Sequence, residues 1–369
     1  MSEKMIPHNK PFIEKGDIGE VQRALESEWV IHGPRVETFE KDLARYIGVR
    51  GGVAVNSGTS AIHLSLLALG VGKGDEVIIP TYVCTAVLNA VNYVGAKPVV
   101  VDVDSKDYNI SLEQTKKHIT KNTKAIIVPH MFGIPADIDK FQALGIPIIE
   151  DCAQSIGAKY KGKMIGSFGD LSIFSFYGSK LLTTGYGGLV CSNNKPLLDT
   201  ARDLRDFDYR KDYKVRYNYQ MSDINAALGI SQLRKLPQML ERRKKIAERY
   251  DRALATIGMS IYKEEPNKER VYYRYVINTR REDGVRSIPE NVHVYINKLE
   301  DYGIKTIKPI CEWELLHNYL GMNNSQFPVA EKFARTGISI PIYPALTDED
   351  VNYICSKIGD LELWLYDNW

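Results

Sequence analysis

A lysine and an acid follow apolar segments of this chain at positions where they could carry out chemistry. Lys180 ends the sequence SFYGSK, which begins within an apolar run over residues 171–176. Asp151 comes soon after a second apolar run, at residues 146–149. An amine that forms an imine and a carboxylate that keeps a pyridine nitrogen protonated are two groups that pyridoxal 5′-phosphate (PLP) chemistry requires. We therefore predict a PLP site.

The elements that must position these residues alternate between strands and helices. Short β-rich runs occur at residues 52–55, 76–79, 98–101, 125–128, 146–149, 171–176 and 188–191. Helical patterns separate most of them, at residues 60–69, 86–94, 112–119 and 138–144. Continuous apolar strands alternating with helices indicate a mostly parallel sheet covered on both faces. We predict an α/β fold whose large domain, residues 1–240, holds this seven-stranded sheet and two N-terminal helices.

The remainder of the chain has a different pattern. A long charged helix begins near Lys235, and its charge run at residues 241–245 is typical of a solvated helix face. A strand is predicted at residues 272–278, and helices at residues 289–302 and 348–358. We predict a smaller α+β domain at residues 241–369.

Four suggestive segments fall at the carboxyl ends of predicted strands, where open α/β sheets bind ligands. They are residues 56–60 (NSGTS), residues 81–84 (TYVC), Asp151 and residues 175–180. The first opens a helix, so its N–H groups and hydroxyls suit a phosphate. A glycine-rich turn, GYGG at residues 185–188, follows the last. Their coincidence on one edge predicts a single site.

Each segment alone has a simpler explanation. The serines and threonine of residues 57–60 are ordinary helix N-cap residues. An acid after a strand commonly caps a loop, a lone lysine usually lies on the surface, and glycine clusters mark turns. Only the combination and order of these segments favour a functional site.

Composition excludes several other classes of function. The formal net charge is +2, which gives no electrostatic reason to expect binding to nucleic acid or to an anionic membrane. No apolar stretch approaches the roughly 18 residues of a membrane helix, and residues 1–7 have no signal-peptide core. The five cysteines are scattered without a CxxC pair, so neither a metal site nor a disulfide framework is predicted. These features favour the cytoplasm.

Four segments carry a resemblance to a known family. They read NSGTSAIHLSLLALGVGKGDEVIIP, GAKPVVVDVD, IIEDCAQSIGAKYKGKMIGSFGDLSIFSFYGSK and NYQMSDINAALGISQLRKL. The order resembles the DegT/DnrJ/StrS family of PLP-dependent nucleotide-sugar aminotransferases, which have the fold type I architecture of the aspartate aminotransferase superfamily. The match covers residues 6–236 and continues more weakly into the C-terminal domain.

The resemblance implies roles for individual residues. Lys180 would be bonded covalently to PLP, and Asp151 would pair with the pyridine nitrogen. The other cofactor contacts would be Gln154 at the ring hydroxyl, Thr59, Ser60 and Ser175 at the phosphate, and Asn218 at the phosphate of the neighbouring subunit. The protein would therefore be a homodimer with shared active sites.

The sequence departs from the family pattern around the cofactor ring and the substrate. Cys84 aligns where many relatives stack an aromatic residue on the ring, and Tyr82 is the alternative cover. Tyr186 stands where an acid is frequent in the glycine turn. His32, Tyr186 and His317 are candidate substrate contacts, although each lone histidine is also compatible with a structural role. His130, in a family motif near the cofactor, carries the same two interpretations.

The function implied is transfer of an amino group from L-glutamate to a keto group, preferably C4, of a nucleotide-linked 6-deoxyhexose, as in perosamine synthase-like relatives. PLP would alternate with pyridoxamine phosphate (PMP). Relatives that dehydrate sugars carry histidine in place of the lysine, so Lys180 favours transamination. The alternatives are another PLP reaction on a keto sugar, namely C3 amination, amination of a non-nucleotide sugar or dehydration, and a regulatory protein on the same fold.

Overall fold

The computed structural model describes residues 5–257, 259, 262, 264–278 and 292–368. The strands are β1 (Gly51–Val55), β2 (Glu76–Pro80), β3 (Lys97–Val101), β4 (Thr123–Pro129), β5 (Ile148–Asp151), β6 (Lys159–Tyr160), β7 (Lys163–Met164), β8 (Leu171–Ser175), β9 (Gly188–Ser192), β10 (Lys268–Glu269), β11 (Tyr275–Asn278) and β12 (Gly337–Ile340). The helices are α1 (Lys15–Glu26), α2 (Pro34–Ile47), α3 (Gly58–Ala68), α4 (Ala86–Tyr93), α5 (Leu112–His118), α6 (Ile138–Gln142), α7 (Lys195–Leu204), α8 (Asp223–Thr256), α9 (Val292–Asp301), α10 (Leu316–Tyr319), α11 (Pro328–Thr336) and α12 (Asp348–Asn368).

The central sheet has seven strands in the order β1-β9-β8-β5-β4-β2-β3. Neighbours from β8 to β3 run parallel, while β9 runs antiparallel to both β1 and β8. All seven predicted strands lie in this sheet, so the predicted mostly parallel α/β fold is confirmed. Asp151 and Ser175 are the last residues of β5 and β8, which places both at the carboxyl edge.

Both faces of the sheet are covered by apolar packing, as the alternation of strands and helices predicts. In β2, Val77 and Ile79 belong to one hydrophobic cluster and Ile78 to a second. Side chains alternate across a strand, so these two clusters lie on opposite faces. A third cluster contains residues of α9, α12 and the β11–β12 ladder and forms the core of the predicted smaller α+β part.

Helix α8 connects these cores. It has 34 residues, a length of about 50 Å at the usual helical rise, and it crosses the predicted domain boundary at residue 240. Its first half packs against α1 and α2, and its second half contributes Ile246 and Tyr250 to the third cluster. No helix among the described residues is both long and apolar enough to cross a membrane.

The predicted strand at residues 272–278 is shorter than expected. Strand β11 begins at Tyr275, and residues 272–274 are not part of it. The Arg243 side chain of α8 donates hydrogen bonds to the carbonyl oxygens of Tyr272, at 3.0 Å, and Ile342, at 2.7 Å, with a longer contact of 3.5 Å to that of Tyr273. A side chain therefore replaces the strand ladder here. The predicted helix at residues 289–302 is present as α9, except for residues 289–291, which lie outside the described residues.

Candidate active site

A cavity of about 440 Å³ opens at the carboxyl edge of the central sheet. Its walls come from the start of α3, the ends of β5 and β8, the loop after β2 and the segment before β11. The sequence-predicted residues that line it are Thr59, Cys84, Asp151, Gln154, Ser175, Lys180 and Tyr186. The predicted residues that do not line it are His32, Ser60, Asn218 and His317.

One wall has the chemistry of a phosphate site. Ser57 is the N-cap of α3, and its Oγ accepts a hydrogen bond from the Ser60 N–H at 3.1 Å. Ser57, Thr59 and Ser175 line the cavity beside the start of this helix. Helix N-terminal N–H groups and nearby hydroxyls bind phosphate. The sequence does not single out Ser57 from the other residues of this motif as a phosphate contact, although its N-cap position could have indicated one.

Two glycines allow this wall to form. A Cβ atom on Gly58 would lie 2.9 Å from the Ser175 Cβ, and one on Gly188 would lie 2.3 Å from the Ser57 carbonyl oxygen. Both separations are below ordinary contact distances. The start of α3 can approach β8 and β9 only because neither glycine carries a side chain.

Ser60 lies behind this wall. Its side chain is buried, and its Oγ donates to Asn56 Oδ1 at 2.7 Å and lies 2.8 Å from the Ser57 Oγ. These bonds hold the loop that presents Ser57 and Thr59. The position of Ser60 does not support a direct phosphate contact.

Asp151 has the setting expected of a partner for a protonated pyridine nitrogen. Its carboxylate is buried, and burial raises its pKa. The Ala153 N–H, which donates to Asp151 Oδ1 at 3.0 Å, and the positive charge of Lys180 lower that pKa in part. A pyridinium would supply further positive charge to this buried carboxylate. The residues present therefore fit the cofactor.

Gln154 lies beside Asp151 in the cavity wall. Its Oε1 accepts a hydrogen bond from the Phe132 N–H at 2.9 Å, and its Nε2 lies 4.0 Å from the Met131 sulfur. Cys84 lines the cavity and is exposed to it, whereas Tyr82 is fully buried among Tyr108, Phe132 and other aromatic rings. Of the two candidates for covering the cofactor ring, only Cys84 faces the cavity.

Lys180 lies over a ring that sequence reasoning did not single out. Its Nζ is 4.9 Å from the centroid of Tyr273, which is buried in the cavity wall. Burial raises the pKa of this phenol, but the charges of Lys180 and Arg274, together with hydrogen bonds from Ser179 and Arg274, outweigh burial and lower it to about 8. Tyr273 and Arg274 lie far from the motifs in sequence, and their only signal was membership of a predicted strand.

His317 is placed away from the cavity. Its Nδ1 lies 2.7 Å from the Thr81 hydroxyl, its Nε2 lies 3.1 Å from Glu331 Oε1, and its ring stacks on Phe327 at 4.2 Å. The side chain is fully buried. This position supports the structural interpretation of His317 rather than the predicted substrate contact.

The other predicted contacts are wholly or partly exposed. Tyr186 lines it, is 68% exposed and packs edge-to-face on Tyr177. Asn218 is exposed, with its carbonyl oxygen accepting a hydrogen bond from the Asn56 side chain. His32 is half-buried, and burial together with the charge of Arg205 lowers its pKa.

His130 lies beneath the site in a buried cluster with Glu150 and Cys152. Its Nδ1 accepts a hydrogen bond from the Ala136 N–H at 3.0 Å, so its Nε2 carries the proton and donates to Glu150 Oε2 at 3.1 Å. Glu150 also accepts N–H groups of Gly166, Phe168 and Gly169. These bonds give His130 a structural role in holding the loop before β8.

Known proteins share both the sequence and the fold of this chain. The model of the DegT/DnrJ/EryC1/StrS aminotransferase family matches residues 11–359. GDP-perosamine synthase of Escherichia coli O157:H7 is 34% identical over 97% of this chain and 98% of its own. GDP-perosamine synthase of Vibrio cholerae is 32% identical over 96% and 98%. The PMP form of the putative sugar aminotransferase Spr1654 from Streptococcus pneumoniae superposes with a TM-score of 0.90 at 29% identity, covering 98% of this chain and 99% of that one.

The mostly parallel sheet and its edge cavity define a fold type I PLP-dependent aminotransferase. The chain belongs to the DegT/DnrJ/EryC1/StrS aminotransferase family, and it is a PLP-dependent sugar aminotransferase.

Proposed function

We propose that this enzyme transfers the amino group of L-glutamate to C4 of a nucleotide-linked 4-keto-6-deoxyhexose. The observation that carries the reaction type is that Lys180, Asp151 and the Ser57–Ser175 wall meet in one cavity. The full-length similarity to GDP-perosamine synthases supports a sugar nucleotide, with GDP as the first nucleotide to test.

Each residue has a defined task in this proposal. Ser57, Thr59 and Ser175 hold the phosphate, and Asp151 keeps the pyridine nitrogen protonated. When bound, PLP draws electrons from the donor's α-carbon and so makes its proton acidic. Lys180 would hold the cofactor through its Nζ, and as a free amine the same Nζ would carry the proton that leaves the donor's α-carbon.

We also propose that the enzyme is a cytoplasmic homodimer in which Asn218 and His32 serve the partner's site. Ile31, 67% exposed, has its carbonyl oxygen bonded to the N–H of Asp223 at the start of α8. Asn225, one turn further, donates to the Thr184 carbonyl beside Tyr186. The exposed Ile31 is thus linked through the start of α8 to the segment that carries the cavity-lining Tyr186, and exposed apolar side chains are expected at an interface between subunits. All five cysteines are free, which fits a reducing compartment.

The absorbance of the PLP-loaded protein tests the proposal. A visible band should appear when Lys180 links to PLP, and L-glutamate should remove it as the PMP form accumulates. The PMP form is then mixed with GDP-, UDP-, dTDP- or CDP-linked 4-keto and 3-keto sugars, and the product mass shows whether nitrogen is incorporated. A protein that forms no visible band with PLP, or a product without added nitrogen, would contradict the proposal. Lys180→Ala is the negative control.

A further inference from the structure

Arg274 brings a second positive side chain to the cavity that holds Lys180. Its guanidinium carbon lies 5.4 Å from the Tyr273 ring centroid, and Lys180 Nζ lies 4.9 Å from the same centroid. The two cations therefore flank one aromatic ring. Arg274 Nη1 is buried, and it has no hydrogen-bond partner among the residues that the structure describes.

Within the described part of the chain, no carboxylate forms an ion pair with this guanidinium, whose acidic neighbour is the hydrogen-bonded Tyr273 phenol. Glu314 lines the same cavity, but its Oε2 accepts the Cys311 N–H at 2.8 Å and it forms no ion pair with Arg274. Asp151 lies at the end of β5, where its Oδ1 is bonded to Ala153. A buried guanidinium nitrogen without an acceptor is costly, and an anionic ligand would supply the missing partner.

We propose that Arg274 binds a carboxylate of the amino donor. A guanidinium matches a carboxylate in shape and can donate two parallel hydrogen bonds. Arg274 and Lys180 lie around the same ring, so a donor whose amine enters beside Lys180 carries its carboxylate towards Arg274. The cofactor phosphate has a separate wall, formed by Ser57 and Ser175. This assignment rests on the proposed transamination.

The backbone that carries Arg274 is held in place before any ligand arrives. Arg243, fully buried in α8, donates to the carbonyl oxygen of Tyr272 at 3.0 Å and to that of Ile342 at 2.7 Å. Tyr273, between these anchored positions and Arg274, is itself buried. A carboxylate site on a fixed segment loses little freedom on binding, which favours affinity.

Replacement of Arg274 by methionine tests the assignment in the PLP-loaded enzyme. We expect the apparent Kd for L-glutamate, from the rate at which the visible band disappears, to rise roughly 10- to 100-fold. Binding of glutarate, an unreactive dicarboxylate, measured by calorimetry should weaken by the same factor. Reaction of the PMP form with the keto sugar should keep its KM within about twofold. Arg274→Lys should fall between the wild type and Arg274→Met.

Arg270→Met is a matched control. Arg270 lies four residues earlier, is flanked by the rings of Tyr262 and Tyr272 and lines a different cavity. Its replacement should leave glutamate and glutarate binding unchanged.

Unchanged glutamate and glutarate binding in Arg274→Met overturns the assignment, and so does a loss confined to the keto sugar. Failure of the wild type to react with glutamate would instead contradict the proposed function. In that case, glutarate binding that is lost only in Arg274→Met still supports a carboxylate site.

Discussion

At the scale of single residues, Tyr273 lies close to both positively charged side chains of the cavity, Lys180 and Arg274. Its phenol lies below Lys180 Nζ and beside the Arg274 guanidinium, and these charges hold its pKa at about 8 despite burial. Lys180 and Arg274 therefore both act on one buried phenol of the cavity wall.

A titration of the cofactor-free protein checks this coupling. Phenolate absorbance should show one tyrosine ionising near pH 8, and Tyr273→Phe should remove that step. Lys180→Met should move the step towards the ordinary tyrosine value near 10. Because the pKa is lower in the folded chain than in the unfolded chain, ionisation stabilises the fold. The free energy of unfolding relative to Tyr273→Phe should thus rise between about pH 8 and 10 and lose that gain below pH 8. A pH-independent difference would contradict the coupling.

Sequence reasoning located the residues that follow strands, because strand ends of a parallel sheet share one edge. Lys180, Asp151 and Ser175 meet in the cavity for that reason. Ser60 and His317 were less accessible to prediction. Whether the Ser60 side chain faces the cavity or bonds to Asn56 depends on its position around helix α3. The burial of His317 depends on Glu331 and Phe327, which come later in the chain.

At the scale of elements, the phosphate wall depends on contact between the start of α3 and strand β9. Gly188, the first residue of β9, leaves no room for a side chain against the Ser57 carbonyl. This contact sets the direction of the helix N-terminus. Backbone geometry at one glycine therefore shapes the wall at which we propose that the phosphate binds.

Gly188→Ala should damage this wall. The added Cβ would lie 2.3 Å from the Ser57 carbonyl oxygen, so β9 and α3 must separate. We expect a loss of about 1–3 kcal/mol in the free energy of unfolding and a weaker Kd for PLP, measured by chemical denaturation and cofactor titration. Gly178→Ala is the control, because a Cβ there meets nothing within 4 Å. Equal effects from both substitutions would contradict this role for Gly188.

The spacing of apolar residues predicted the main strands and helices, but it did not predict the irregular segments that connect them. Seven apolar runs correctly predicted the seven-stranded sheet, because a strand covered on both faces must be apolar throughout. The two-residue strands β6, β7 and β10 are too short to leave a pattern. The backbone before β11 left the ladder because Arg243, some 30 residues earlier, bonds its carbonyl oxygens.

At the scale of the whole molecule, the proposed dimer assigns Asn218 to the partner's cavity. Asn218 is exposed and does not line the cavity of its own chain. Lys180 and Asp151 line that cavity and would act within their own subunit. A mutation of Asn218 should therefore impair the partner's active site, whereas a mutation of Lys180 or Asp151 should impair the site of its own subunit.

Mixing inactive Lys180→Ala subunits with impaired Asn218→Ala subunits should restore activity. In each mixed dimer one site collects both defects and the other collects neither, so a statistical mixture regains roughly a quarter of wild-type turnover. Turnover of the separate and combined subunits, with dimerisation followed by light scattering, measures this. Lys180→Ala mixed with Asp151→Asn should regain nothing, since both residues act in the same subunit. Absence of recovery in the first mixture would place Asn218 in its own subunit's chemistry.

The pairing of β1 with β9 has a consequence for how the enzyme matures. Strand β1 lies at the edge of the sheet and pairs along its whole length with β9, from Gly51 opposite Ser192 to Val55 opposite Gly188, with one further bridge from Val55 to Gln220. Contacts between residues so distant in the chain form slowly during folding. On the ribosome, the helix start proposed to bind the phosphate must wait until β9 has been synthesised. The segment that carries Tyr273 emerges later still. Cofactor capture is therefore a late event of biosynthesis, and a truncated chain that ends before β9 would lack a complete phosphate site.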